Sequence, residues 1–185
     1  MNILQSIQNL DGEILLWIQQ YLRSDILTPV MKAVTFLGNG GWFWILCTVV
    51  LLAVPKTRKV GYAAALSMIF GALVTNVLLK NLAARPRPFA EIDTLIPLIA
   101  KPTDFSFPSG HTTASFAVAL VMVRMLPEKY GGPAVILAAL VAVSRLYLGV
   151  HYPTDVLAGF LVALAGSTLA VRIVKTKLEK EEPCQ

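Results

Sequence analysis

Charge is scarce in this chain. Asp, Glu, Lys and Arg make up 15% of its 185 residues, where a soluble domain carries about 25%. Hydrophobic residues reach 56%, and mean hydropathy is +0.66. This balance excludes an ordinary soluble domain and implies one membrane-embedded domain over 1–185. Cysteine is scarcer still: Cys47 lies in an apolar run and Cys184 in a polar tail, with no CxxC or Cys/His cluster. A disulfide framework and a zinc site are excluded on that ground. No acidic cluster offers oxygen ligands for magnesium, so no metal and no cofactor is expected. The first residues lack a basic segment and are interrupted by Asp11 and Glu13, which makes a poor signal peptide and a better amphipathic surface helix over 1–24. No basic, aromatic-rich module accompanies the net charge of +5. The excess is therefore assigned to cytoplasmic loops and lipid head groups rather than to nucleic acid. Nothing in the sequence requires a protein partner.

What the chain has in quantity is apolar runs. A spanning helix needs about 17–25 mostly apolar residues. Runs free of Asp, Glu, Lys and Arg occupy 33–55, 60–79, 105–123, 130–144 and 156–171. "GNGG" at 38–41 divides the first into a short helix near 25–37 and a firmer one near 41–54. The third fits a helix from near Ser109 past Arg124, and the last two are lengthened by their apolar neighbours. The expectation is an all-α polytopic bundle of about six transmembrane helices, preceded by the surface helix and followed by a polar cytoplasmic tail over 176–185. Small residues at Ala158, Gly159, Ala163, Gly166 and Ser167 predict close helix packing. The basic residues of 56–59, then Arg124 and Lys129, then Arg172, Lys175, Lys177 and Lys180, recur every second span and mark the cytoplasmic side. Lys80, Arg85, Arg87, Lys101 and Arg145 fall on the opposite side, against the positive-inside rule, which calls for another role.

All of those cations but Lys101 lie in the first and third of three clusters on that side. In "KNLAARPRP", 80–88, prolines push Arg85 and Arg87 out of helical geometry and hold the cations on a stiff exit from the membrane. In "FPSGHTTASF", 107–116, a Pro-Ser-Gly turn opens a helix with Ser109 as N-cap and His111 in the first turn. Free N–H groups at such a helix start suit an anion. In "SRLYLGVHYPTD", 144–155, Arg145 ends one span, Gly149 allows a turn, and Pro153 begins the next helix with Asp155 in its first turn. Asp155 there can accept the His151 imidazole N–H and free the other nitrogen as nucleophile or base. Both histidines of the chain lie in these clusters. Cations and helix-start amides suit a phosphoryl group, and two histidines suit covalent transfer, one attacking and one protonating the leaving oxygen.

The three clusters resemble the signature motifs of the type 2 phosphatidic acid phosphatase superfamily. Lys80 with Arg87-Pro88, Pro108-Ser109-Gly110-His111, and Ser144-Arg145 with His151 and Asp155 match them in order and spacing. The resemblance implies dephosphorylation of a lipid phosphate or diphosphate. His151 would attack phosphorus, Asp155 would orient it, and His111 would protonate the leaving group and then activate water. Lys80, Arg87 and Arg145 would hold the phosphoryl oxygens with Ser109 and the Gly110 backbone. Arg85 lies outside the strict pattern and is expected to support the site or touch a head group. Short members of this kind act on undecaprenyl diphosphate, phosphatidylglycerol phosphate or phosphatidic acid. Undecaprenyl diphosphate is the first choice, because the site is expected on the extracytoplasmic face of the cytoplasmic membrane. The loop 89–107 is expected to be an amphipathic cover over a lipid access gap. A lipid phosphotransferase or a lipid A-type phosphatase is the alternative within enzymes. A proton or anion transporter is more remote, because the charges cluster at one edge rather than at mid-bilayer. The haloperoxidases of the superfamily are soluble, and the composition argues against them.

Overall fold

The chain is described by a computed structural model over residues 3–181. Its helices are α1 (Ile3–Trp17), α2 (Leu27–Leu37), α3 (Trp42–Ala53), α4 (Arg58–Ala72), the short α5 (Lys80–Ala83) and α6 (Pro88–Glu91), α7 (Gly110–Met125), α8 (Glu128–Tyr147) and α9 (Pro153–Glu181). No strand occurs among the described residues. Two π-helical segments, Ile18–Leu22 and Leu73–Leu79, continue α1 and α4. The second leads directly into Lys80.

Helix α7 sits at the centre and packs against α4, α8 and α9. Its buried residues are small or β-branched: Thr112, Thr113, Ser115, Ala117, Val118, Ala119 and Val121. From α9 they meet Ala163 and Ser167, and from α4 Ala63, Ala64 and Ser67, all fully buried. The expected small-residue stripe is therefore a packing face, with Gly166 closing on the Phe70 ring. Large apolar side chains point outward instead, among them Ile45, Val49, Ile69, Ile136, Leu157 and Leu161. Small and hydroxyl groups inside with bulky apolar groups outside is the arrangement that lipid, not water, favours.

Three runs are long and apolar enough to cross a membrane: Pro55–Glu91, Glu128–Tyr147 and Pro153–Lys177. Leu27–Leu37 and Asn39–Ala53, bent by 43° at their junction, add a fourth if they form one span. The count of six expected from the sequence thus stands at three or four by length and composition. The segments near 25–37 and 41–54 are arms of one bent pair, and α7, at 16 residues, falls just below the spanning length of about 17–25.

Two further expectations change. Helix α1 has a protein-docked face: Asp11, Leu15 and Ile18, at helical spacing, are buried. Helix α9 continues to Glu181 through most of the segment expected as a loose tail; 182–185, including Cys184, lie outside the described residues. The loop after α6 also differs from a cover over a gap. Its Leu95 is buried, Phe89, Leu98 and Ile99 pack on Tyr147, Leu148 and Val150, and Leu98 N–H donates to Leu148 O at 3.1 Å. The loop clamps the α8–α9 turn. Gly149 has φ +71° there, the left-handed region that a glycine enters without strain.

Candidate active site

Four helix ends meet at one end of the bundle: the C-terminal ends of α5 and α8 and the N-terminal ends of α7 and α9. This brings the three sequence clusters together. His151 is 1% exposed and Asp155 is fully buried. His151 Nδ1 lies 3.4 Å from Asp155 Oδ2, and Nε2 lies 3.4 Å from Arg87 Nη1. A carboxylate can only accept and a guanidinium can only donate. The proton therefore belongs on Nδ1 and the lone pair on Nε2. Burial is the largest influence on the His151 pKa. With the Arg145 and Arg87 charges it outweighs the pull of Asp155 and lowers the value to about 4. The imidazole is neutral at pH 7.

The phosphate-binding candidates lie around this ring. Arg87 donates to Val150 O at 2.7 Å, Asp104 O at 2.8 Å and Asp104 Oδ1 at 2.7 Å. Lys80 pairs with the other oxygen of the same carboxylate. Burial pushes the Asp104 carboxyl up, but Lys80 and Arg87 outweigh this and hold it at about 2. Arg145 is 2% exposed. It donates to Thr35 Oγ1 at 2.7 Å, its Nε has no partner, and it makes no ion pair among the described residues. Keeping a cation out of water without a counter-anion costs several kcal/mol. A fold carries that cost where an anion arrives.

Ser109 caps α7 as expected: its Oγ accepts from Thr112 N–H at 3.4 Å and from the Thr112 hydroxyl at 2.9 Å. Its own N–H donates to Asp155 O at 3.0 Å, tying the second cluster to the third. Gly110 begins α7, and His111 Nε2 lies 2.9 Å from Asn39 Oδ1. A Cβ at Gly38 would stand 2.7 Å from the His111 ring, so the glycine-rich break of α2–α3 is shaped to the imidazole. A cavity of about 660 Å³ runs from Lys80, Asp104, Gly110 and His111 down an apolar channel between α3 and α4, past Ile45, Val49, Leu52 and Met68. Of the 89–107 loop, only Asp104 lines this opening.

Sequence reasoning missed several of these residues. Ser106 sits at 2.5 Å from Asp155 Oδ2 and 3.5 Å from His151 Nδ1. Asp104, Asn39 and Thr35 each contact a motif residue, and Asp11 pairs with Arg85. A signal existed for two of them: Asp11 is a carboxylate in an otherwise apolar helix face, and Asp104 an acid beside the cationic clusters. No group of three or more His, Cys, Asp or Glu able to hold a metal occurs among the described residues.

Buried cations around a neutral, carboxylate-oriented histidine, close to a channel between apolar helices, fit a membrane phosphohydrolase. The profile of the PAP2 superfamily matches residues 60–179, and the chain belongs to that superfamily. It is similar to an undecaprenyl-diphosphatase of Sulfolobus acidocaldarius, at 37% identity over 143 residues, covering 76% of this chain and 69% of that one. It is also similar to phosphatidylglycerophosphatase B of Bacillus subtilis, at 33% identity, covering 77% and 73%. Among solved structures, the transmembrane PAP2-type phosphatidylglycerolphosphate phosphatase of Bacillus subtilis matches with a TM-score of 0.72 at 30% identity, covering 97% of this chain and 90% of that one. The chain is a membrane protein and a phosphate-ester hydrolase.

Proposed function

We propose that the protein hydrolyses a lipid phosphate or diphosphate, undecaprenyl diphosphate first, at the extracytoplasmic edge of the cytoplasmic membrane. The observation that carries this reading is the buried Arg145, which makes no ion pair among the described residues, in a site with the neutral His151 and with an apolar channel that opens at Lys80 and His111. The names of the relatives agree with polyprenyl diphosphates and phosphatidylglycerophosphate as the substrate class. The side follows from the basic residues at 56–59 and at Arg124, Arg172 and Lys175, all at the end of the bundle away from the site.

The phosphoryl group enters among Lys80, Arg87 and Arg145 and replaces the Asp104 carboxylate, which occupies two of these cations in the free enzyme. His151 Nε2 attacks phosphorus. A P–N bond forms as the bond to the leaving oxygen breaks, and His111, which takes up a proton once the bound phosphate anion offsets the cations around it, gives that proton to the leaving oxygen. The lipid product departs. His111 then takes a proton from water, whose oxygen attacks the phosphohistidine, releasing inorganic phosphate and restoring His151. Asp155 holds the Nδ1 proton throughout and offsets the charge that develops on the ring. Charge on the phosphoryl oxygens is met by guanidinium, ammonium and α7 N–H groups, so we propose that no metal takes part.

The decisive experiment measures phosphate release in detergent from undecaprenyl diphosphate, phosphatidylglycerol phosphate and phosphatidic acid, each with and without EDTA. Release from at least one, unchanged by chelator, is expected. Failure on every lipid would sink the reading, and loss with EDTA would sink the metal-free step. The pH profile gives a separate check. A nucleophile must be neutral, and His151 protonates only near pH 4. The activity limb on the acid side should therefore stay flat through pH 5–6 and fall toward pH 4. A limb centred at the ordinary histidine value of about 6.5 would contradict the buried, cation-flanked placement of this ring.

A further inference from the structure

A buried network joins α1, which lies outside the residues matched by the family profile, to the reacting imidazole. Asp11 is 2% exposed. Its Oδ2 accepts from Arg85 Nη2 at 2.8 Å, its Oδ1 accepts from Thr154 N–H at 3.1 Å, and the Thr154 hydroxyl also bonds to it. The same guanidinium donates through Nη1 to Asp155 Oδ1 at 2.8 Å and to Thr154 Oγ1 at 2.7 Å. Its Cζ stands 3.8 Å above the Tyr152 ring. Each oxygen of Asp155 thereby has its own task. Oδ1 takes Arg85, while Oδ2 takes Tyr152 N–H at 2.8 Å, Ser106 and His151.

Arg85 lines a polar recess beside α1 and not the channel at His111. Unlike Arg87, it makes no contact with His151 Nε2 and turns both Nη groups to Asp11, Thr154 and Asp155. Left uncompensated, its charge would draw electron density from Asp155 and weaken the hold on the His151 proton. Asp11 cancels that charge and pins the guanidinium in place. We propose, resting on the catalytic reading of His151 above, that Arg85 and Asp11 are positioning residues of the active site. Arg85 fixes Asp155 through one oxygen so that the other addresses His151, and Asp11 neutralises Arg85 from the N-terminal helix.

The charge signs give a signature that a merely structural contact lacks. In Asp11→Asn an uncompensated Arg85 disfavours imidazolium, so the acid limb of kcat/KM moves to lower pH. In Arg85→Gln the cation is gone while Asp11 and Asp155 remain, so the limb moves to higher pH. The other groups facing His151 are Arg87, Arg145, the Ser106 hydroxyl and, beyond them, His111 and Asp104; both variants leave them in place.

The test is steady-state kinetics against pH on the full chain in detergent, with a lipid phosphate that the wild type hydrolyses and His151→Ala as control. Asp11→Asn should lower kcat about tenfold with KM within about twofold. Its acid limb should move down by about half a pH unit, and that of Arg85→Gln up by a similar amount. Asp11→Glu and Arg85→Lys keep the charges and should hold their limbs at the wild-type pH. Limbs that stay fixed, or move in the same direction, overturn the proposal, as does a loss confined to KM. Should Asp11→Asn not fold, the Arg85→Gln and Arg85→Lys pair decides: an unshifted Arg85→Gln limb overturns it. An active wild type with a dead His151→Ala and an unaltered Asp11→Asn defeats this proposal alone. An active His151→Ala defeats the reading of the site, and this inference with it.

Discussion

Replacing His151 by alanine should lower kcat by at least about 10⁴-fold and leave no covalent phosphoenzyme. The expectation rests on geometry that no neighbour can replace. The ring is buried, its Nδ1 faces Asp155, and its Nε2 faces the phosphate-side cation Arg87. The other side chains there are cations, hydroxyls, the Asn39 amide, the ion-paired Asp104 and His111, and His111 faces Asn39 rather than a carboxylate. The variant should still fold, because it removes one ring and no ion pair needed by the bundle. Two measurements check this together: phosphate release, and labelling of the protein, quenched in alkaline detergent, from a substrate carrying radioactive terminal phosphate. Wild type should carry a transient acid-labile label, and His151→Ala none. A variant that keeps more than about one-hundredth of wild-type turnover would rule out His151 as the nucleophile.

His111→Ala should have the second-largest effect, about 10²–10⁴-fold in kcat, and its size should depend on the leaving group. The lipid alkoxide of phosphatidic acid needs a proton to depart. The phosphate oxygen of a lipid diphosphate needs it less, and the phenolate of p-nitrophenyl phosphate least. The first step should therefore suffer most with phosphatidic acid. The second step, in which His111 takes a proton from water, is common to all three. With p-nitrophenyl phosphate the variant should release nitrophenolate in a burst and then stall, accumulating phosphohistidine. Rapid-quench kinetics would reveal it. Equal losses on every substrate, with no burst, would remove His111 from both steps. The partner Asn39 belongs to the same test. Its amide contacts His111 Nε2, and the imidazole exchanges that contact for the leaving oxygen or the water.

Much of the site was legible before any fold was known. The prolines at 86 and 88, the Pro-Ser-Gly turn and the "HYPTD" helix start are local signals, and local signals act through φ restriction and capping that need no distant partner. Ser109 caps α7 and Asp155 stands in the first turn of α9, as those rules require. The roles of the smaller supporting residues were not legible. Ser106, Thr35 and Asn39 carry no pattern of their own, and each acquires meaning only from the residue it touches, such as Arg145 110 positions away from Thr35. The number of spans was not fixed by composition for a related reason. Apolar content sets whether a segment prefers lipid, but whether α2 and α3 are two spans or one bent pair depends on the turn at Gly40 and Gly41, where φ is +57° and +68°, and on what packs against it.

The sequence by itself determined the solvent, the helical class and a candidate site for phosphoryl chemistry. Low charge and long apolar runs set the first two, and two histidines among misplaced cations set the third, because each follows from residue type and spacing along one strand of chain. Only the tertiary structure decided which partner each cation of one cluster turns to. Arg85 and Arg87 are two residues apart in a single motif, yet one turns to Asp155 and Asp11 while the other turns to His151 and Asp104. That division is made by what surrounds them. Helix α1 brings a buried carboxylate to one side and the 101–106 loop an exposed one to the other, and a buried charge settles where its counter-charge is held.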